Sequence, residues 1–440
     1  MKNMANTKMM IIAVVAAVVV VAAGAVVVLG NNGGGSHHSN EDLGDALGLI
    51  YGNANGDAEI NYSDLQIIQD IMDGNKSVDD YPLADANRDD NVNEADYSLV
   101  QQFIDGEKVQ LYVMDTIGGI SQVDYPLKGI FAVGGTNMRV LIEVLDMESH
   151  IAANATNDYI SPVLDKKLYE ARESGVIAKV TTGATSADWS ELAKRVGTYS
   201  LALIEDAGTS GYSNEAGRNT FKDWGVDVLQ FSSDNYVSLK RAAATLGILI
   251  GSETQAKSFI AMLDNVVNTI STKLGDMMAS ETVMCITMSN SVSGYESDYF
   301  NATELAGGKN IADWPDKTRK FDPAEDQWLF EERYNPKNLF HFKSMMYGDE
   351  PTKTEISGYV QYFDKTAAYM NEHYYLINGT VPLPVRIAYM ASIMYPDDFD
   401  AGWAMEVFQD FADKYVDNVG LDVSDYKVFW NTPELKEYLK

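Results

Sequence analysis

Residues 236–274 read YVSLKRAAATLGILIGSETQAKSFIAMLDNVVNTISTKL, a stretch whose apolar residues recur at the spacing of an α-helix. Gly251 interrupts the pattern, so we predict one helix from Tyr236 to Ile250 and a second from Glu253 to Met278. Ser252 and Gln255 have the spacing of a capping box at the start of the second helix. At 1.5 Å per residue the second helix would be about 39 Å long, enough to connect two separate lobes.

Short apolar strands alternate with helices on both sides of this stretch. We predict strands at 129–133, 200–204 and 226–231 before it, and at 283–288 and 339–342 after it. This alternation is typical of an α/β architecture. The pattern therefore predicts an α/β fold with one lobe over 120–235, connecting helices over 236–280 and a second lobe over 281–440, with a cleft between the lobes.

Four segments within residues 120–415 resemble the helical-backbone class of substrate-binding proteins, which deliver iron-siderophores, haem and cobalamin to ABC importers. They are DWGVDVLQF, LGILIGSETQAKSFIAML, ELAGGKNIAD and VPLPVRIAYMASIMYPDDF. The resemblance implies a fold like that of class III periplasmic binding proteins, with two lobes joined by a long helix. It also implies an ABC transporter permease as a partner and an iron or cobalt chelate, such as an iron-siderophore, haem or a corrinoid, as the transported ligand.

Candidate ligand contacts follow from the fold, because loops at the carboxyl ends of parallel strands open into such a cleft. Aromatic rings would provide contact area for a bulky chelate, and an arginine would pair with its carboxylates or phosphates. For each tyrosine the alternative is a surface or rim residue, and for Arg386 it is a salt bridge to an acidic neighbour. The candidates are Thr136, Asn137, Arg139, Thr209, Ser210, Tyr212, Tyr295, Tyr299, Tyr347 and Arg386.

Two further features of the lobes leave alternatives open. The Gly134-Gly135 turn either cradles an anion at the start of the following helix or is simply a tight strand-to-helix turn.

The family resemblance also implies one carboxylate on each lobe that contacts the permease. The first-lobe position falls near Arg139 or Val140, neither of them acidic. The possible substitutes are Glu143 or Glu191 in the first lobe and Glu325 or Asp326 in the second.

Two stretches nearer the N-terminus, NANGDAEINYSD at 53–64 and DANRDDNVNEAD at 85–96, have the ligand spacing of a calcium-binding loop. Acidic turns that bind no ion are the alternative, since Asn and Asp are common in turns. The spacing predicts two Ca²⁺ sites, with Glu59 and Asn91 contributing main-chain carbonyls. The side chains at loop positions 1, 3, 5, 9 and 12 are Asn53, Asn55, Asp57, Asn61 and Asp64 in the first loop, and Asp85, Asn87, Asp89, Asn93 and Asp96 in the second.

Each loop leads into an apolar helix, and residues 50–108 resemble a type I dockerin, the small all-α double F-hand module that docks onto cohesin domains. The resemblance implies a cohesin-domain partner that contacts Tyr62 with Ser63 and Glu94 with Ala95. Loop position 6 is Ala58 or Asp90 rather than Gly, and position 1 of the first loop is Asn53 rather than Asp. These departures predict a weaker first site. We place the module at 49–110 and predict that it folds independently of the cleft.

The N-terminus indicates the compartment. Residues 9–29 are uncharged, and as a helix they would span about 30 Å, the hydrocarbon thickness of a bilayer. Lysines precede this run and none follows it closely, which places the rest of the chain outside the membrane. We therefore predict a signal anchor at 1–30 and a flexible linker at 31–48, on the extracytoplasmic face of the cell membrane. A cleaved signal peptide, which would give a secreted protein, is the alternative.

Composition excludes some functions. The net charge of −31 argues against nucleic acid as a partner, because neutralising phosphates requires clustered Lys and Arg. The histidines outside the linker, His150, His341 and His373, are widely spaced, and no hydrolase motif accompanies them. We predict a membrane-anchored solute-binding protein of an ABC importer and not an enzyme. The alternatives are a cell-surface scaffold that recruits a cohesin through the dockerin and, less well supported, a chelatase-like enzyme.

Overall fold

A computed structural model of the chain describes residues 43–115, 119–156, 159–205, 211–232, 235–287, 290–295, 297–312, 314–315, 318–320, 336–346 and 348–440. Within these ranges, no helix is both long enough and apolar enough to cross a membrane. The predicted membrane-spanning segment at 9–29 and most of the linker lie outside the described residues.

The N-terminal module contains two helices and a β-hairpin. Helices α1 (Tyr62–Met72) and α2 (Glu94–Ile104) each begin at an asparagine cap, Asn61 or Asn93, within a capping box completed by the last residue of the loop. The hairpin of β1 (Val109–Met114) and β2 (Ile120–Tyr125) was not predicted. A bridge between Ile50 and Val113 joins the hairpin to the start of the module.

The first lobe is built on a parallel five-stranded sheet of order β5-β4-β3-β6-β7. The strands predicted at 129–133, 200–204 and 226–231 are confirmed as β3, β6 and β7. Strands β4 and β5 were missed. In chain order the elements are β3 (Ile130–Val133), α3 (Thr136–Val144), β4 (Ile151–Ala155), α4 (Lys166–Glu173), β5 (Ala178–Val180), α5 (Ser186–Ala193), β6 (Leu201–Glu205), α6 (Glu215–Asp223) and β7 (Asp227–Phe231).

The connecting segment forms two helices, α7 (Tyr236–Ile250) and α8 (Glu253–Leu274). Gly251 ends α7 in the left-handed region with φ +73°, a conformation that glycine adopts without strain. The predicted capping box is wrong, because the Ser252 side chain makes no capping hydrogen bond. Helix α8 ends at Leu274 rather than Met278, and its 22 residues span about 33 Å instead of the predicted length.

The second lobe contains a mixed sheet of order β11-β9-β8-β12-β13-β14, with β10 also pairing with β8. Strands β8, β10, β12 and β13 are parallel, and β9, β11 and β14 run antiparallel to their neighbours. The strands predicted at 283–288 and 339–342 are confirmed as β8 and β12. The elements are β8 (Glu281–Thr287), β9 (Ser291–Ser293), α9 (Asp298–Leu305), β10 (Gly308–Asn310), β11 (Thr318–Lys320), β12 (Asn338–Lys343), α10 (Lys353–Val360), α11 (Ala367–Met370), β13 (Tyr374–Asn378), α12 (Leu383–Met394), α13 (Ala401–Tyr415), β14 (Phe429–Asn431) and α14 (Thr432–Tyr438).

One apolar core runs through all of these parts. It includes Ile50 of the N-terminal module, Leu145 of the first lobe, Leu246 and Phe259 of the connecting helices, and Val283 of the second lobe. Burial of this shared apolar surface favours contact between the parts. The N-terminal module therefore packs against the connecting helices, and its independent folding stays a prediction.

Candidate functional site

Arg139 on α3 links the two lobes. Its Nη1 donates hydrogen bonds to both carboxylate oxygens of Asp165, at 2.6 and 2.5 Å. Its Nη2 donates to the carbonyl oxygen of Thr380, which follows β13 in the second lobe, at 2.5 Å. The side chains of Arg139 and Asp165 are only 3% and 2% exposed. Arg139 is thus a buried interlobe contact, and the prediction that it faces an open cleft is wrong.

The start of α3 is occupied by a carboxylate of the protein itself. Glu205, the last residue of β6, accepts hydrogen bonds through Oε2 from the amides of Gly135, at 2.6 Å, and Met138, at 3.2 Å. A Cβ atom at Gly134 would collide with this oxygen, so a glycine is required there. The Gly134-Gly135 segment is therefore a tight turn, and Glu205 occupies the Gly135 and Met138 amides that a bound anion would need. Of the candidates in the first turn of α3, Asn137 is buried and Thr136 half-buried.

Arg386, in the first turn of α12, is fully buried. Its Nη1 donates to Oδ2 of Asp298 at 2.9 Å, which is the salt bridge named as the alternative in the sequence analysis. Its Nε and Nη2 have no hydrogen-bond partner within the described part of the chain. These two atoms form one edge of the guanidinium, which can bind both oxygens of a carboxylate or another oxyanion. A buried donor without a partner costs free energy, so this edge is suited to an anionic ligand.

Tyr299 lies against Arg386 at the carboxyl ends of β12 and β13. The Arg386 guanidinium carbon is 4.9 Å from the centre of the Tyr299 ring, and the ring stacks on Phe342 with 4.2 Å between centroids. Its hydroxyl would lie 2.8 Å from a Cβ atom at Gly379. Burial, reinforced by the charge of Asp298, raises the pKa of Tyr299, so this hydroxyl remains a neutral donor at physiological pH.

Among the other predicted cleft residues, the two that the structure describes are not brought together. Tyr212 is buried in the core of the first lobe, where its hydroxyl donates to the carbonyl oxygen of Thr181 at 2.9 Å, so its assignment to the cleft is wrong. Tyr295 is half-buried, and its backbone amide donates to the carbonyl oxygen of Trp314 at 3.2 Å. Thr209, Ser210 and Tyr347 lie outside the described residues.

The carboxylates proposed to contact the permease differ in their exposure to solvent. Glu143 is buried beside Asp165 and Arg139, and burial raises its pKa well above the ordinary value, so it does not present a surface charge. Glu191 lies on the surface of the first lobe, where it pairs with Lys194 at 2.7 Å and Arg195 at 3.7 Å. Glu325 and Asp326 lie outside the described residues. The first-lobe candidate that keeps a surface carboxylate is therefore Glu191.

Sequence reasoning missed four residues that complete these arrangements, namely Asp165, Glu205, Asp298 and Thr380. Asp298 directly precedes the candidate Tyr299 in the sequence, so it could have been predicted as the acidic partner of Arg386. The other three residues are far from their partners in the sequence and contact them only after the chain has folded. Glu205, for example, is 67 residues from Met138.

The two calcium-loop candidates share one hydrogen-bond pattern. The carboxylate at loop position 12 is buried and accepts the amides of positions 3 and 9. In the first loop Asp64 accepts from Asn55 at 3.1 Å and Asn61 at 2.8 Å. In the second loop Asp96 accepts from Asn87 at 3.0 Å and Asn93 at 2.8 Å. The duplicated sequence therefore folds into duplicated loops, each with its last carboxylate held inward.

Position 1 differs between the loops. Asp85 in the second loop accepts the amides of Asp89 at 3.1 Å and Asp90 at 2.9 Å. In the first loop Asn53 is fully buried, and its Nδ2 donates to the carbonyl oxygens of Gly48 and Asp57, both at 2.8 Å. Asn53 Oδ1 is buried without a hydrogen-bond partner in the described ranges. The first loop thus uses its position-1 side chain to bind the preceding segment of the chain.

The donor atoms of these loops are all oxygens, the ligand type that Ca²⁺ prefers. The described residues contain no group of three or more His, Cys, Asp or Glu side chains arranged to hold a metal ion. A calcium ion here would therefore depend on Asn side chains and main-chain carbonyls as well as on carboxylates. The buried Asn53 Oδ1 is an acceptor that such an ion would satisfy. Burial raises the pKa of Asp64 to about 6, and a bound cation would oppose this shift.

Solved structures match most of this chain, whereas no protein-family model and no curated protein sequence matches it. Helicobacter pylori CeuE, described as a nickel-histidine complex, is 15% identical over 72% of this chain and 98% of its own, with a TM-score of 0.56. The TroA-like periplasmic binding protein FepB from Veillonella parvula is 15% identical over 72% and 99%, with a TM-score of 0.53. The molybdate periplasmic binding protein MolA from Haemophilus influenzae is 13% identical over 69% and 97%, with a TM-score of 0.54.

At this identity the comparisons establish the fold. The chain has the two-lobed α/β fold of periplasmic binding proteins. More narrowly, it has the TroA-like form of that fold, in which helices rather than strands connect the lobes. The comparisons thus confirm the two-lobed α/β architecture that the sequence predicts.

Proposed function

We propose that this chain is the extracytoplasmic solute-binding component of an ABC importer, and that its cleft binds an anionic metal chelate. The observation that carries the proposal is the buried edge of Arg386, which has two donors and no partner among the described residues. It lies where the carboxyl ends of the second-lobe strands approach the first lobe, six residues after Thr380. The matched CeuE structure is a nickel complex and the matched MolA structure contains molybdate, which supports a metal-containing or oxyanionic solute.

The charges of the two lobes suggest an orientation for the ligand. In the first lobe the amides at the start of α3 bind Glu205, and Arg139 is paired with Asp165. These groups offer little attraction to a further anion. In the second lobe Arg386 keeps one edge for an oxyanion, and Tyr299 lies beside it. We therefore place the anionic end of the chelate against the second lobe, with Tyr299 as its aromatic contact.

The two loops would bind Ca²⁺, the second more tightly than the first. The second loop has a carboxylate at position 1, whereas Asn53 contributes no charge and donates its Nδ2 hydrogens within the protein. Bound calcium would supply positive charge that holds the loop oxygens together. Asp90 at position 6 of the second loop has φ +66°, the left-handed conformation that glycine usually provides in such loops.

A second candidate function, a surface protein that recruits a cohesin through the module, is favoured by one observation. Tyr62 is 66% exposed at the start of α1, and Glu94 is exposed at the equivalent position of α2. A large exposed aromatic residue is typical of an interaction surface. Both functions are compatible with an N-terminal membrane anchor at 1–30.

The import function is tested by identifying the cargo and then removing its proposed contact. Native mass spectrometry of protein purified from its own cells would identify the bound solute. The solute is then titrated calorimetrically into Arg386→Ala. The free energy of binding should be less favourable by about 1.5 to 3 kcal/mol than in the unchanged protein, the usual contribution of a hydrogen bond to a charged group.

The matched control for this titration is Arg195→Ala. Arg195 donates to the carbonyl oxygen of Gly175 at 3.0 Å, before β5 and thus at the opposite end of the first-lobe strands from the cleft. The control should bind the solute as the unchanged protein does. Equal affinities for Arg386→Ala and the control would refute the proposed contact.

A further inference from the structure

A short segment at 44–49, which we call the strap, lies between the first calcium loop and helix α7. On one side its amides bind the loop, since Leu47 donates to the carbonyl of Gly56 at 2.7 Å and Gly48 to that of Asp57 at 3.0 Å. On the other side Leu49 donates its amide to Thr245 Oγ1 at 2.9 Å in a buried hydrogen bond.

Arg241 extends this second set of contacts. Its Nε donates to the carbonyl oxygen of Ala46 at 2.9 Å and its Nη2 to that of Gly44 at 2.7 Å. The strap is therefore hydrogen-bonded along its length to both the loop and the connecting helix. Residues 44–48, the last part of the segment predicted as a flexible linker, are instead ordered against α7.

Gly48 is the point at which these groups meet. A Cβ atom placed there would be 2.5 Å from Nδ2 of Asn53, 2.6 Å from the carbonyl oxygen of Asp57 and 2.6 Å from Cδ1 of Ile248 on α7. Asn53 and Asp57 occupy positions 1 and 5 of the first loop. Gly48 is thus packed between two candidate calcium-binding residues and the connecting helix α7. No room remains for a larger side chain at this position.

A second link joins the same loop to α8. Glu59, at loop position 7, pairs through its side chain with Lys257. This pair is partly exposed, so it contributes little on its own. It does, however, place the Glu59 side chain against α8.

We propose that the first loop is a calcium-dependent brace for the connecting helices. Calcium binding in the loop stabilises α7 through Gly48 and Thr245, so that the N-terminal module and the two lobes unfold as one unit. A ligand that binds only the folded state raises the stability of the whole cooperative unit to which its site belongs. Because α7 and α8 connect the lobes, calcium outside the cell would then stabilise the solute-binding body itself. The inference rests on the proposed calcium binding.

The test is scanning calorimetry of the full chain with calcium chloride and with EGTA, accompanied by calcium titration of the same samples. We expect one unfolding transition that moves to higher temperature with calcium. We also expect slower hydrogen exchange of the amides at 241–249 when calcium is present. Two transitions, with calcium moving only one of them and exchange at 241–249 unchanged, would overturn the brace while leaving calcium binding intact. A titration without any calcium binding would overturn the calcium sites and the brace together.

Gly48→Ala inserts a methyl group between the loop and α7. We expect the calcium-dependent shift of the lobes to disappear in this variant and the module to unfold separately. Gly358→Ala is the matched control, because Gly358 has no atom within 4 Å of its Cβ position and should respond to calcium as the unchanged protein does. If Gly48→Ala does not fold, Thr245→Val removes the Leu49 acceptor while preserving side-chain volume. A full calcium-dependent shift of the lobes in both substituted proteins would contradict the brace.

Discussion

Arg139 and Arg386 are both buried, but their guanidinium groups have different surroundings. Arg139 is paired with both oxygens of Asp165 and with a carbonyl of the other lobe. Arg386 is paired on one side only. The sequence predicts both residues as anion-binding candidates, because each is an arginine expected at the edge of the cleft. Their different roles depend on Asp165 and Asp298, whose positions relative to the arginines are set by the folded chain.

Removing Asp165 should destabilise the protein strongly. Asp165→Ala leaves the charge of Arg139 buried without its partner, and breaking a buried ion pair typically costs about 3 to 5 kcal/mol. Urea denaturation monitored by circular dichroism measures the loss. The control is Asp410→Ala, since Asp410 pairs with Lys414 on the surface and its side chain is 50% exposed. A change below about 1 kcal/mol is expected there. Similar losses in both variants would argue against a special role of the interlobe pair.

Glu148 should make the stability pH-dependent. Burial raises the pKa of Glu148 to about 7, although the nearby charge of Lys167 opposes the shift. An acid with a raised pKa binds its proton more tightly in the folded state, so stability is highest at low pH. We therefore expect the free energy of unfolding to fall as the pH rises from about 4.5 to about 7.

Glu148→Gln isolates this contribution from that of Glu304, whose pKa is also raised to about 7 by partial desolvation. The substitution keeps the side-chain shape and removes the titration. The slope of unfolding free energy against pH, measured in urea, should be shallower in the variant. Superimposable slopes would exclude Glu148 as a source of the pH dependence.

Helices α7 and α8 were predictable because their apolar residues follow the helical period over many turns and Gly251 marks the break. The five predicted strands are short apolar runs next to turn residues. Strands β4 and β5 were missed since IAANA is rich in alanine and AKV has only three residues. The hairpin was missed although its strands, Val109–Met114 and Ile120–Tyr125, are neighbours in the chain. Tyr212 follows a predicted strand, but its ring packs against Phe131 and Trp189 in the core.

Replacing Gly251, which separates the two connecting helices, should lower the stability of the protein. Gly251 has φ +73° and open space around its Cβ position, so Gly251→Ala introduces backbone strain without a steric clash. A left-handed conformation costs a non-glycine residue about 1 to 2 kcal/mol. Urea denaturation should show that loss. Gly358→Ala, in a helix with an ordinary φ, should instead be neutral or slightly stabilising. A gain in stability for Gly251→Ala would contradict the assigned role of this glycine.

The whole molecule differs from its predicted plan in one respect. The sequence suggests a chain of separate parts, with a linker and a module preceding the two lobes. In the structure the strap and the module share a core with the connecting helices. Local patterns identify the parts, but they carry no information on which surfaces of those parts are in contact. The two lobes, their connecting helices and the duplicated loops were predictable, whereas the contacts between them were not.

The central claim is that an anionic solute is held between the lobes by Arg386. A crystal structure of the protein with the cargo identified by mass spectrometry tests it most directly. Our account predicts an oxygen pair of the ligand bound side-on to Nε and Nη2 of Arg386, at about 2.7 to 2.9 Å, the distance of charge-assisted hydrogen bonds. A cargo bound away from Arg386, or with this edge of the guanidinium facing only protein, would contradict it.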